Sequence, residues 1–129
     1  MTRTILVVDD EPDLVANCER LLQRAGHESL RAHTGPDAIS LIDRKRPDLV
    51  VADLRLPGMD GLTVARHARG QAPPIPVVLI TAYDSSQART AARESGVGVY
   101  LPKPLSNAAF LEAVQRALLP KSTDGVAER

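Results

Sequence analysis

Five short apolar runs recur along the chain, separated by segments in which apolar residues follow a helical period. The first, third, fourth and fifth runs span residues 4–8, 49–52, 77–80 and 97–101. This alternation predicts five strand–helix units and therefore an α/β protein built on a parallel sheet. The run 49–52 has no polar alternation, which is typical of a central strand covered on both faces.

Residues that commonly begin or end helices mark the helix boundaries. The first helix is predicted to begin near Pro12 and to end before Gly26. Its predicted apolar face carries Leu14, Cys18, Leu21, Leu22 and Ala25. The segment Thr34–Asp37 is predicted to open the second helix, and Asp60 and Ser106 are the predicted caps of the third and fifth helices. The fourth helix, within residues 85–95, offers only alanines to the core, so we expect it to pack lightly and to move.

Composition and charge narrow the class of protein. A length of 129 residues, with 43% apolar and 25% charged residues, fits one globular domain. We expect this domain to span residues 1–119, with a polar tail or linker stub at 120–129. Lys and Arg number 16, as do Asp and Glu, and this balance argues against binding of nucleic acid or of an anionic membrane.

The single cysteine, Cys18, is predicted to lie in the core and has no partner for an intramolecular disulfide. No leader precedes the first strand, and no apolar stretch approaches the roughly 20 residues of a membrane helix. We therefore expect a soluble, cytoplasmic protein.

Residues suited to phosphate chemistry stand at the ends of four predicted strands. Asp9 and Asp10 follow the first strand, and Asp53, Thr81 and Lys103 follow the third, fourth and fifth. In an open parallel sheet the carboxyl ends of the strands share one edge, where ligands bind. Clustered carboxylates repel one another unless a cation offsets their charge, and Mg²⁺ prefers oxygen ligands. The pattern therefore predicts a magnesium site.

The residues assign provisional roles within this site. Asp10 and Asp53 are the expected direct ligands, with Asp9 acting through water because adjacent side chains of a strand diverge. The alternative for the two adjacent aspartates is to cap the first helix. Lys103 is suited to neutralise a phosphoryl oxygen and Thr81 to donate a hydrogen bond, although a solvated lysine and a turn threonine are the simpler alternatives. The three histidines lack ligand spacing and are interpreted as surface or packing residues: His27, His33 and His67.

The chain to about residue 119 resembles the receiver domain of two-component response regulators. The motifs that carry the resemblance are Ile5–Glu11, Asp53–Gly61, Thr81–Ala82 and Tyr100–Pro104. The resemblance implies a flavodoxin-like (βα)5 fold, doubly wound, with five parallel strands in the order 2-1-3-4-5. The sequence around Asp53 and at 100–104 is most similar to nitrogen-regulatory, enhancer-binding transcription regulators.

The same resemblance implies a role for each site residue. Asp53 would be the phosphoacceptor, with Asp9 and Asp10 as the acidic pocket and the backbone carbonyl of Arg55 completing the protein ligands of Mg²⁺. Thr81 and Lys103 match the phosphoryl-binding pair. The donor would be a histidine kinase or a phosphotransfer protein. The domain would not be a conventional enzyme, because it would catalyse only its own phosphorylation and dephosphorylation.

A conformational switch is also implied. Thr81 would move toward the phosphoryl group and Tyr100 would swing into the space behind it, reshaping the surface of the fourth helix, fifth strand and fifth helix. That surface is also the expected homodimer face. The alternative for Tyr100 is a half-buried strand residue with a solvated hydroxyl. The bond between Lys103 and Pro104 is cis in this family, and we predict cis here.

Two bulky residues, Arg55 and Tyr83, stand where some chemotaxis-type receivers have small polar residues. We expect them to crowd the approach of water to a phosphorylated Asp53. Three alternative functions fit parts of this pattern. A haloacid-dehalogenase-like phosphatase needs an aspartate where Arg55 stands, and a nucleotide- or flavin-binding module needs a glycine-rich loop that is missing after the first strand. A degenerate receiver that binds partners without phosphorylation is the remaining alternative, which the intact site residues oppose.

Overall fold

Strands and helices alternate along residues 2–119, the part of the chain that the computed structural model describes. In chain order the elements are β1 (Thr4–Val8), α1 (Pro12–Arg24), β2 (Glu28–Ala32), α2 (Gly35–Lys45), β3 (Leu49–Asp53), β4 (Arg55–Leu56), β5 (Met59–Asp60), α3 (Gly61–Arg69), β6 (Val77–Thr81), α4 (Ser86–Glu94), β7 (Val99–Pro102) and α5 (Asn107–Leu118). The predicted tail at 120–129 lies outside the described residues.

One sheet carries the five longer strands, all of them parallel, in the order β2-β1-β3-β6-β7. This is the predicted order 2-1-3-4-5, because the two-residue strands β4 and β5 pair only with each other. The fold class predicted from the sequence is confirmed. No helix within residues 2–119 combines the length and the apolar character needed to cross a bilayer.

Alternate residues of the central strands pack against two opposite layers of helices. Ile5 and Val7 of β1 face a core shared with α1 and α5. Leu6 and Val8 face a second core shared with α2, α3 and α4. Every residue of β3 is buried, which confirms that this strand is central and covered on both faces.

Side-chain caps begin four of the five helices. The predicted caps of α3 and α5 are confirmed, because Asp60 accepts from the Thr63 amide and Ser106 from the Ala109 amide. Helix α2 begins in the predicted segment, with Thr34 accepting from the Asp37 amide. Helix α4 begins in the same way at Ser85. It buries only Ala92, so the expected light packing is confirmed.

Three boundaries differ from the prediction. Helix α1 ends at Arg24, so the predicted core residue Ala25 is exposed, and Val15 is buried in addition to the expected residues. Strand β7 begins at Val99 and not at Val97. The chain turns at Gly96, which has a left-handed backbone conformation, and the Val97 amide then donates to the Ala92 carbonyl of α4 instead of joining the sheet. The predicted loop after β3 contains the β4–β5 hairpin.

Candidate functional site

The sheet brings the predicted site residues to one edge. Asp9 directly follows β1 and Lys103 directly follows β7, whereas Asp53 and Thr81 are the last residues of β3 and β6. In the register of the parallel strands, Asp53 lies beside Ile80. These side chains therefore lie at the same edge of the sheet, as the sequence predicts.

Three carboxylates form the centre of this edge. One oxygen from each of Asp9, Asp10 and Asp53 lies within 4.8 Å of the other two. Asp9 and Asp53 are buried, whereas Asp10 is exposed. Backbone amides orient the two buried groups, since Asp9 Oδ1 accepts from the Glu11 N–H at 2.9 Å and Asp53 Oδ1 from the Arg55 N–H at 3.2 Å.

The helix-cap alternative for the adjacent aspartates is wrong. The N-cap residue of α1 is Glu11, and no side chain caps this helix. Asp9 instead binds the amide of the N-cap residue itself, ahead of the first helical turn. Its carboxylate is therefore oriented toward the acid cluster.

The ammonium of Lys103 lies among these carboxylates. Its Nζ is 3.0 Å from Asp53 Oδ2, 3.1 Å from Asp9 Oδ2 and 3.1 Å from Glu11 Oε1. Burial alone would lower the pKa of Lys103, but its contacts with the carboxylates of Asp53, Asp9 and Glu11 outweigh that effect and raise it. Lys103 therefore carries its positive charge at neutral pH.

The buried carboxylate of Asp9 is incompletely satisfied. Burial raises the pKa of its carboxyl group above the ordinary value of 3.8, although the Glu11 amide and Lys103 oppose that rise. Oδ2 is buried and receives no aligned hydrogen bond from residues 2–119, even though Lys103 is close. An under-satisfied carboxylate oxygen beside two further carboxylates is the donor set that a hard divalent cation prefers. The residues present therefore fit Mg²⁺.

Thr81 is fully buried at the end of β6. Its Oγ1 accepts from the Tyr83 N–H at 2.9 Å, which fixes the hydroxyl without using its proton. The Thr81 carbonyl accepts from the Lys103 N–H at 2.7 Å, so the ends of β6 and β7 are joined at the site. The Lys103–Pro104 bond is cis, as is Ala72–Pro73.

Tyr100 of β7 is half-buried, and its environment differs from the simpler sequence alternative. The hydroxyl is buried and has no aligned hydrogen-bond partner among residues 2–119, so the alternative of a solvated hydroxyl is wrong. Burial, followed by the nearby Asp84 carboxylate, raises the pKa of Tyr100. The guanidinium of Arg89 lies over its ring at 5.0 Å from the centroid, and Arg89 also forms a two-bond ion pair with Asp84.

Arg55 and Tyr83 contact each other directly. The guanidinium of Arg55 lies over the Tyr83 ring, 3.8 Å from its centroid, although both side chains reach solvent. The pair connects the segment after β3 with the loop after β6. Sequence reasoning named both residues but did not predict this contact.

Sequence reasoning missed two neighbours of the site. Glu11 was noted only within a motif, although its place directly after two aspartates was a usable signal. His33 was interpreted as a surface or packing residue, yet its Nδ1 lies 3.0 Å from the Asp9 carbonyl. His27 accepts from a backbone amide and His67 pairs with a carboxylate, which is consistent with packing and surface roles.

A cleft of about 550 Å³ opens beside the site, between α1 and the segment leading into α5. Its lining includes Lys103, Leu14, Leu21, Phe110 and Cys18. Cys18 is buried, as predicted, and burial together with the charges of Asp9 and Glu19 raises the pKa of its thiol to about 12.

Known proteins are similar to this chain in sequence and in fold. The sequence model of the response regulator receiver domain matches residues 5–115. Response regulator MprA of Mycobacterium tuberculosis (strain ATCC 25618 / H37Rv) is 38% identical over 122 residues, which are 95% of this chain and 53% of MprA.

Two solved structures are similar. Chemotaxis response regulator CheY4 of Vibrio cholerae superposes with a TM-score of 0.85 at 26% identity, over 92% of this chain and 100% of CheY4. The BeF3-activated receiver domain of Klebsiella pneumoniae RstA superposes with a TM-score of 0.83 at 32% identity, over 91% of this chain and 99% of the RstA chain.

Fold and site together define a doubly wound α/β protein with a carboxylate cluster at the carboxyl ends of its strands. The chain belongs to the response regulator receiver domains, which are the phosphoacceptors of two-component signalling. It spans about half the length of the curated relatives it matches, 53% in the case of MprA. The finer likeness to nitrogen-regulatory regulators stays a prediction.

Proposed function

We propose that this receiver accepts a phosphoryl group onto Asp53 from the phosphohistidine of a histidine kinase or phosphotransfer protein. The observation that carries the proposal is the position of the Asp53 carboxylate, which ends a buried strand among two further carboxylates and lies 3.0 Å from the Lys103 ammonium. A nucleophile for phosphoryl transfer needs an oriented oxygen and nearby positive charge, and both are available here.

Asp9, Asp10 and Asp53 are the residues that would hold Mg²⁺, with the backbone carbonyl of Arg55 as a further ligand. When bound, the ion supplies positive charge to the equatorial oxygens of the phosphoryl group. The support for this assignment is the spacing of the three carboxylates and the unsatisfied Oδ2 of Asp9.

The chemistry then follows from the side chains. An Asp53 oxygen attacks phosphorus, a P–O bond forms as the P–N bond breaks, and the electron pair stays on the imidazole nitrogen, which takes up a proton. Lys103 faces one phosphoryl oxygen and Thr81 donates its free hydroxyl proton to another. Dephosphorylation ends the signal: water attacks phosphorus, and the acyl phosphate yields inorganic phosphate and the Asp53 carboxylate.

The same contacts provide a switch. The Thr81 hydroxyl already accepts from the Tyr83 amide, so movement of Thr81 toward a phosphoryl group would draw the loop after β6 with it. Tyr100 is held by Arg89, which belongs to the helix that follows this loop. We therefore assign the output to the surface of α4, β7 and α5, with Thr81 and Tyr100 as the switch residues. A homodimer through that surface and a cytoplasmic location stay predictions.

We assign the binding site of the phosphodonor protein to the cleft between α1 and α5. This cleft has an apolar lining and extends to Lys103 and Ala82, so a helix seated in it would present a phosphohistidine at the predicted site. The proposed domain comprises residues 1–119, of which 5–115 match the family.

Intact-mass measurement after incubation with acetyl phosphate and Mg²⁺ tests the proposal. We expect wild type to gain the mass of one phosphoryl group, and the gain to disappear with EDTA. Asp53→Asn is the matched control, because it keeps the shape of the side chain and removes the nucleophile. Equal labelling of both proteins would show that Asp53 is not the acceptor. Absence of label on wild type would favour the degenerate receiver.

A further inference from the structure

Glu11 occupies a helix-cap position but does not cap the helix. It is the N-cap residue of α1, where a short polar side chain usually accepts from a first-turn amide. No such bond is made, and its Oε1 instead accepts from Lys103 Nζ at 3.1 Å, across 92 positions of sequence. The Glu11 side chain therefore binds Lys103 at the site and does not cap the helix.

Lys103 divides its hydrogen bonds between an inner and an outer carboxylate. Its ammonium donates to Asp53 Oδ2, which is buried, and to Glu11 Oε1, whose side chain is 59% exposed. Asp9 Oδ2 is equally near at 3.1 Å but receives no aligned hydrogen bond within the described part of the chain. The bond to Glu11 thus uses an N–H of the ammonium that would otherwise be free to turn toward Asp9 Oδ2.

We propose that Glu11 is a positioning residue, which holds Lys103 at the outer side of the acid cluster and leaves Asp9 Oδ2 available to a divalent cation. This inference rests on the proposed function. Without the Glu11 acceptor, the nearest remaining oxygen for that N–H is Asp9 Oδ2. Lys103 would then compete with Mg²⁺ for the same carboxylate.

The proposal differs from a simple contribution of negative charge. Asp13 offers the matched control, since it lies in the first turn of α1 and lines the same cleft, but forms no ion pair with Lys103. Glu11→Gln offers a second control, because the amide oxygen still accepts a hydrogen bond without carrying charge. A charge effect predicts that Gln and Ala behave alike at position 11, whereas positioning predicts recovery by Gln.

The experiment is a Mg²⁺ titration of the full chain, followed by amide chemical shifts of the residues around the acid cluster. We expect Glu11→Ala to weaken Mg²⁺ binding about fivefold, and Glu11→Gln to recover most of that loss. Asp13→Ala should change the affinity by less than about twofold. In a Lys103→Met background, the effect of Glu11→Ala should fall to that of Asp13→Ala.

Equal weakening by Glu11→Ala with and without Lys103 would overturn the inference, as would equal affinities of Glu11→Ala and Asp13→Ala. Both outcomes would leave the proposed function intact, provided that wild type binds Mg²⁺ and labels at Asp53. A wild type that binds no Mg²⁺ would overturn the proposed function together with this inference.

Discussion

The guanidinium of Arg55 lies 3.8 Å from the centroid of the Tyr83 ring, and this contact joins the two segments that flank Asp53. The Tyr83 amide also donates to the Thr81 hydroxyl. The pair therefore lies on the two loops next to the predicted phosphoacceptor, and the Tyr83 amide ties it to Thr81, the predicted phosphoryl ligand. The sequence predicts that both residues crowd the approach of water, and because they contact each other we expect them to do so as a unit.

Replacing both residues should shorten the lifetime of the phosphorylated state. We expect the double variant Arg55→Asn, Tyr83→Ala to lose its phosphoryl group roughly two- to fivefold faster than wild type, since an exposed cation–π pair contributes about 0.5–1 kcal/mol. Loss of labelled protein after removal of acetyl phosphate measures the rate. Each single variant should come close to the double variant, because either change breaks the contact. Unchanged rates would contradict the crowding hypothesis.

Asp9→Asn should stabilise the metal-free protein at neutral pH. Because burial raises the pKa of Asp9, the native state binds a proton more tightly than the unfolded chain does, and the contribution of Asp9 to stability falls as the pH rises from 3.8 through the raised value. We expect the melting temperature in EDTA to increase by a few degrees, the shift that about 1 kcal/mol produces in a chain of this size.

The gain from Asp9→Asn should shrink as the pH approaches the ordinary pKa of aspartate. Added Mg²⁺ should raise the melting temperature of wild type but not that of the variant. Asp37→Asn removes an exposed carboxylate of α2 and should bring no such gain. A lower melting temperature for Asp9→Asn than for wild type in EDTA would refute the assignment of unfavourable burial.

Gly61→Ala should disrupt the site through the backbone. A Cβ atom at Gly61 would overlap the Asp53 carbonyl, and the Gly61 N–H already donates to the Leu54 carbonyl at 2.6 Å. We expect a loss of about 3 kcal/mol in the free energy of unfolding, measured by urea denaturation, and slower labelling of Asp53. Gly70→Ala is the control, since its Cβ would meet no atom closer than 3.3 Å. Similar losses in both variants would exclude the close approach as the cause.

Arg89→Ala should release Tyr100 and loosen α4. Arg89 covers the Tyr100 ring and pairs with Asp84, which follows Tyr83 in the loop after β6. Because α4 buries only Ala92, this polar contact has little apolar packing to support it. Hydrogen exchange should show faster exchange of α4 amides in the variant, with altered Tyr100 ring shifts in NMR spectra.

Arg93→Ala provides the comparison for Arg89→Ala, since Arg93 is an exposed arginine in the last turn of the same helix. Its α4 amides should exchange as in wild type. Equal exchange in the two variants would remove Arg89 from the connection between Thr81 and Tyr100.

The fold could be predicted from local sequence features, namely apolar strands and helix caps, which agree with the tertiary structure. The apolar residues of β3, with no polar alternation, required cover on both faces, and Asp60 and Ser106 each had a side chain suited to cap the helix that follows. Boundaries were less accessible. The start of β7 depends on the amide of Val97 bonding back to α4, a contact that hydrophobic pattern does not encode.

The convergence of the site was likewise predictable, because parallel strands bring their carboxyl ends to one edge. Contacts between side chains were not. Lys103 meets Glu11 across 92 positions, and Arg55 meets Tyr83 only because two separate loops lie side by side. Periodicity places a residue on an element and a face, whereas the partner of an exposed side chain depends on how neighbouring loops meet.

Alkylation of Cys18 can report on the opening of the cleft between α1 and α5. Cys18 is the chain's single cysteine, it lines the cleft, and its buried thiol has a pKa near 12, so it is almost wholly unreactive while the helices are closed. Alkylation of the unmodified protein would thus proceed only when α1 and α5 separate. The alkylation rate would then measure how often the two helices separate, with no engineered label, and a helix seated in the cleft would slow the reaction.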